Sequence, residues 1–131
     1  MKIRHGIKLV AFPVINNHVH VVRTTNIRQS VELIKETRDQ LSPDFCFRGV
    51  RGLTLVTEND EIYIFVPWKR SSGTDAHEAY HAVRHLLGQQ GIEMENEVVA
   101  YHLGYLVEAM QIDKPTRKQL TKRNKKSKVL K

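Results

Sequence analysis

The sequence predicts an α+β fold: a small mixed or antiparallel sheet, a helix backing it, and two C-terminal helices, the first carrying two histidines four apart and the second a glutamate. Three observations predict it. Residues 7–24 and 50–68 hold runs of β-branched and aromatic residues that alternate with polar ones, the period of a half-buried strand. Residues 26–41, 74–89 and 94–111 repeat apolar residues at helical intervals. His77-Glu78-Ala79-Tyr80-His81 reads H-E-x-x-H, which sets two imidazoles on one side of a helical turn.

The elements follow in order. Residues 7–14 and 19–24 read as strands, with Asn16-Asn17 as the turn between them. Residues 26–41 read as a helix, because Ile27, Val31, Ile34 and Leu41 share a face; Ser42-Pro43-Asp44 ends it. Residues 50–57 and 61–68 form a hairpin around Glu58-Asn59-Asp60, and Pro67 limits the second strand. Ser72-Gly73-Thr74-Asp75 supplies turn and capping residues for a helix over 74–89, whose apolar side is Ala79, Tyr80, Ala82, Val83, Leu86 and Leu87. Gly88 and Gly91 close it. The last helix runs over 94–111, and its apolar residues are Val98, Val99, Leu103, Leu106, Val107 and Met110.

Charge divides the chain in two. The net charge is +7, yet residues 114–131 hold nine of the 21 basic residues and none of the 14 acidic ones. Residues 1–112 therefore form one near-neutral domain, and 113–131 a basic tail with too few apolar residues to pack. That tail suits nucleic acid or another acidic partner, although no aromatic residues interleave for base stacking. No apolar run reaches the length of a membrane span, and the charged first ten residues are not those of a secretory signal. Hence no membrane partner is expected. The lone Cys46 has no disulfide partner within the chain and reads as a small buried residue between Phe45 and Phe47. Nothing in the composition fixes an oligomeric state.

The chemistry concentrates on the last two helices. His77 and His81 can reach one metal ion, and Glu78 between them can take a proton from a metal-bound water. Glu97, Tyr101, Gly104, Tyr105 and Glu108 form a stripe on the last helix; if it faces the first helix, Glu97 becomes a third ligand, and Gly104 permits close approach. Glu95 is the rival for that role, on the other side of the helix and in its first turn. Two histidines, one glutamate and an open position make the ligand count of a catalytic zinc site. His85 extends the histidine series, but three ligands spanning about 12 Å are too far apart for one zinc. His18 and His20 alternate on one strand face and could form a second metal pair; with no carboxylate or Cys beside them, they read as plain exposed strand histidines.

His77-Glu78-x-x-His81 followed by Asn96-Glu97-x-x-Ala100 resembles the gluzincin branch of zinc metallopeptidases, with a short spacing similar to minimal single-domain members. The outline through Ala100-Tyr101-His102-Leu103-Gly104-Tyr105-Leu106 also resembles small zincin-like proteins of bacteriophages and prophages. The likeness is specific over residues 74–107. It implies a Zn2+ cofactor on His77, His81 and Glu97, Glu78 as general base, a peptide or protein substrate, and a place in the bacterial host cytoplasm or the virion. Tyr105 is the first choice to stabilise the oxyanion, ahead of Tyr101, His102 and His85. The chain departs from the pattern where Tyr101 stands in place of an Asp that often holds a ligating His. The metzincin pattern is not met, since Arg84 and Leu87 occupy its Gly and last His positions. Two other readings stand beside the hydrolase: a non-catalytic zinc-stabilised phage assembly or virion protein, and a basic nucleic-acid-binding module in which H-E-x-x-H is accidental.

Overall fold

Strand alternation is realised as a four-stranded sheet. In the computed structural model, which describes residues 3–13, 15–42 and 44–111, β1 (His5–Phe12), β2 (Asn17–Thr24), β3 (Leu53–Val56) and β4 (Ile62–Pro67) lie in the order β1-β2-β4-β3. The β1–β2 and β3–β4 pairs are antiparallel, while β2 and β4 run parallel, so the sheet is mixed. Both hairpins turn through a left-handed residue, Asn16 at φ 45° and Asp60 at φ 62°. Asn and Asp tolerate that conformation better than other residues with a Cβ. Val14, Pro43 and the basic tail at 113–131 lie outside the described residues.

The first helix departs from expectation. Residues 26–41 do not form one helix but two short ones, α1 (Ile27–Leu33) and α2 (Lys35–Arg38), separated by Ile34 in extended conformation. The Thr37 hydroxyl donates to the Val31 carbonyl at 2.9 Å, a group that a continuous helix would have paired with the Lys35 N–H, while the Ile34 carbonyl accepts the backbone N–H groups of Thr37 and Arg38 and starts the second helix. The break directs Ile27, Ile34 and Leu41 together onto Val22, Val31 and Phe65, the core of one sheet face.

The other face carries the larger core. Val10, Phe12, Val19, Val21, Ile62, Ile64 and Val66 of the sheet meet Ala79, Ala82, Val83, Leu86 and Leu87 of α3 (Ser72–Gln89) and Leu106 and Met110 of α4 (Asn96–Gln111). Each fully buried Val, Ile, Leu, Phe or Met among them contributes roughly 1.5–3 kcal/mol. Gly91, at φ 66°, ends α3: its N–H reaches the Gly88 carbonyl while that of Ile92 reaches Leu87, the paired bonds of a Schellman turn. Gly88 itself lies within the helix.

One buried ion pair binds the layers together. Arg23 on β2 donates to Asp75 at the start of α3 (2.7 Å), to the Met110 carbonyl of α4 (2.7 Å) and to the Pro67 carbonyl of β4 (3.1 Å). Asp75 is fully buried and also accepts from Gln111 at 3.0 Å. Four elements thus converge on two charges whose hydrogen-bonding capacity is largely used, the condition under which burial of charge is tolerated.

Three smaller expectations are corrected. Tyr80 is not core: it is exposed, with the Arg84 guanidinium 5.6 Å above its ring. Cys46 is exposed, because Phe45 and Phe47 pack edge-on against each other and the residue between them in this non-helical stretch turns outward. Gly104 makes no close helix contact; a Cβ there would meet nothing within 4 Å. Among the described residues, no helix is long and apolar enough to cross a membrane.

Candidate functional site

The H-E-x-x-H residues fall on the flank of α3 that overhangs β3, one of the two edge strands of the sheet. Helix periodicity buries Ala79, Ala82, Val83 and Leu86 and leaves His77, His81 and His85 outside. These three histidines, with Glu78 and with Gly52, Leu53, Thr54 and Val56 on and before β3, line an open groove of about 440 Å³.

Within it, the Nε2 atoms of His77 and His81 stand 3.2 Å apart, with their rings nearly perpendicular. Two nitrogens on one tetrahedral zinc at about 2.0–2.1 Å are roughly 3.3 Å apart, so the spacing suits a shared metal as well as a shared proton. Glu78 is buried, and its Oε2 lies 3.9 Å from His77 Nε2. The Thr54 hydroxyl donates to the other carboxylate oxygen, Oε1, at 2.8 Å. Gly52 makes room for this carboxylate: a Cβ there would come within 2.8 Å of Glu78 Cγ and 3.0 Å of its Oε2. Glu78 is therefore held by β3 and aimed along α3 toward the histidine pair.

The second helix does not complete this arrangement. Its buried residues are His102, Leu106 and Met110, and Glu97 lies on nearly the opposite side at about 100° per residue, exposed in the first turn. Glu95, just before the helix, is exposed as well. Tyr105 donates its hydroxyl to the Ala11 carbonyl of β1 at 2.9 Å and rests on Phe12. β1 and β3 are opposite edges of the sheet, three strand spacings or roughly 14 Å apart. The structure thus brings His77, Glu78 and His81 together and sets Glu97 and Tyr105 elsewhere. The reason is packing: the apolar stripe of α4 is wide enough to claim the side facing α3 and the sheet, which sends the polar stripe outward. Tyr101 is exposed on the same stripe. His102 is buried, its Nδ1 donating to the Val98 carbonyl at 2.9 Å, and its Nε2 has no hydrogen-bond partner among the described residues.

A second group of ligand-type side chains is assembled on the sheet. Among the described residues, His18, His20 and Glu61 are the group of three whose ligand atoms lie within 4.8 Å of one another, and the cluster could hold a metal ion. Glu61 Oε2 is 2.8 Å from His18 Nε2 and 3.0 Å from His20 Nε2. The hydrogen bond from His20, reinforced by that from His18 and opposed by partial burial, holds the Glu61 carboxyl below the usual carboxylate range. His20 also stacks on Tyr63, with ring centroids 4.2 Å apart, and burial pushes the Tyr63 phenol upward. Sequence reasoning placed the two histidines on one strand face but missed their carboxylate, which lies about forty residues away. The available signal was the parallel pairing of β2 with β4, and nothing in the local sequence announces it.

Comparison of the chain with protein families, with curated proteins and with solved structures finds no match.

Proposed function

We propose that the protein is a metal-dependent hydrolase acting on peptide bonds in the groove between α3 and β3. The observation that carries this reading is the placement of His77 and His81, their Nε2 atoms 3.2 Å apart, beside a buried glutamate held by β3. A zinc ion bound by the two imidazoles would supply a polarised water and a Lewis acid for the scissile carbonyl. The protein's own part is to hold those imidazoles, to accept the water proton on Glu78, and to pass it to the leaving amine. The unpaired side of β3 offers backbone groups on which an extended peptide can lie as an added strand. With Glu97 on the solvent side of α4, the remaining ligand positions fall to water and substrate.

That placement of Glu97 favours a second reading, in which the pair binds metal without turnover. The two separate on one experiment. Tag-free protein loaded with zinc is offered unfolded protein and peptide libraries, beside Glu78→Gln. Hydrolysis by the wild type, lost in Glu78→Gln with zinc retained, supports the hydrolase. Equal cleavage by both removes Glu78 as base. Zinc on His77 and His81 with no cleavage by the wild type establishes the non-catalytic reading.

A further inference from the structure

We propose that His18, His20 and Glu61 form a binding site for a borderline divalent transition metal of the zinc class, separate from the α3 groove. The site is built by sheet register. His20 pairs with Tyr63 across the parallel β2–β4 ladder, so His18, two residues earlier, stands opposite Glu61. Alternation puts all three side chains on one face of the sheet. Both imidazoles turn Nε2 toward the same carboxylate oxygen, at 2.8 and 3.0 Å, so that three ligand atoms converge on one point.

Their chemistry is selective. Two imidazole nitrogens and one carboxylate oxygen suit zinc and its neighbours rather than calcium or magnesium, which prefer oxygen alone. The site is also held before any metal arrives. Tyr63 stacks on His20 with an interplanar angle of 9°, and the Asn17 side chain accepts the backbone N–H of His18 at 2.8 Å. Leu9, paired with His20 in register, adds an apolar flank on the β1 side. Side-chain exposures of 37%, 20% and 39% for His18, His20 and Glu61 leave one side open, where water or a partner's side chain completes the coordination. A metal here ties β2 to the segment entering β4, and because it binds the native register alone it stabilises the fold.

The test removes the other candidate ligands first. Tag-free full-length protein carrying His77→Asn and His81→Asn is titrated with zinc chloride by calorimetry, with circular dichroism to confirm folding. Binding of about one zinc per chain is expected. Adding His18→Asn and His20→Asn should abolish it, and Glu61→Gln alone should weaken it by roughly a hundredfold, since even supporting residues around a metal are worth about 10–100-fold. Cobalt in place of zinc should show the visible absorption of a tetrahedral site, lost in the same variants. No zinc binding by His77→Asn/His81→Asn overturns the site, as does binding that the strand substitutions leave unchanged. If the double strand variant does not fold, Glu61→Gln decides: unaltered affinity sinks the proposal.

Discussion

The two histidine pairs of this chain differ in how their surroundings are assembled. On α3, four residues of sequence bring His77 and His81 to 3.2 Å, and helix geometry alone is responsible. On β2, two residues of sequence bring His18 and His20 to one face, but the carboxylate that both contact arrives on another strand. The helical pair announces itself, yet among the described residues no third group of ligand type gathers within 4.8 Å of both imidazoles; the strand pair is silent in sequence and has Glu61 within that reach. A recognisable local motif thus measures how readily a pair can be seen, and tertiary pairing decides whether a third group joins it.

The strongest way to break this comparison is to loosen the element under the helical pair. Asp75 anchors the first turn of α3 to Arg23 within a buried network. Asp75→Ala leaves the guanidinium uncompensated and should lower unfolding free energy by about 3–5 kcal/mol, read by urea denaturation. A loss below about 1 kcal/mol would show that this pair behaves like an exposed one.

Thr54→Val is sharper, because it keeps strand propensity and volume while deleting the hydroxyl that donates to Glu78. Hydrogen bonds to charged groups contribute about 1.5–3 kcal/mol, so a loss in that range is expected, together with loss of any hydrolysis in the groove. Zinc affinity at His18, His20 and Glu61 should not move; a parallel drop would show that the strand cluster and the α3 groove are coupled. Gly52→Ala probes the same contact from the steric side. Its Cβ would meet Glu78 Cγ and Thr74 Cγ2, each at 2.8 Å. Overpacking of this kind costs about 1–3 kcal/mol, and the melting temperature should fall accordingly. An unchanged melting temperature would mean that Glu78 swings aside freely.

What was legible in the sequence follows the same division. The β4 strand, α3 and the turns at Asn16 and Asp60 were readable because their signals are local: alternation, helical spacing, and residues that tolerate positive φ. The single helix expected over 26–41 failed because apolar spacing does not report the side chain of Thr37, which takes the Val31 carbonyl in place of a backbone N–H. The stripe on α4 was correctly drawn, but its direction was not, since two stripes on one helix cannot be assigned to neighbours before the packing is known. The structure sets Glu97 and Tyr105 apart from the histidine pair for that reason, and Glu61 was missed because strand order is a property of the whole chain.

The smallest expected effect tests whether the strand pair is held in advance of its ligand. Tyr63 lies parallel to His20 at 4.2 Å and belongs to the same apolar cluster as Phe65, so it restricts the imidazole to one plane. Tyr63→Leu keeps an apolar side chain at that position and removes the ring. Stacked pairs are worth about 0.5–1.5 kcal/mol beyond their buried area, and a loss of stability of that size should appear in denaturation of the metal-free protein. Zinc affinity should fall as well, because the imidazole must then be ordered by the metal itself. A variant that loses stability but keeps full affinity would assign Tyr63 to the core alone, leaving His18 and Glu61 to set the geometry without it.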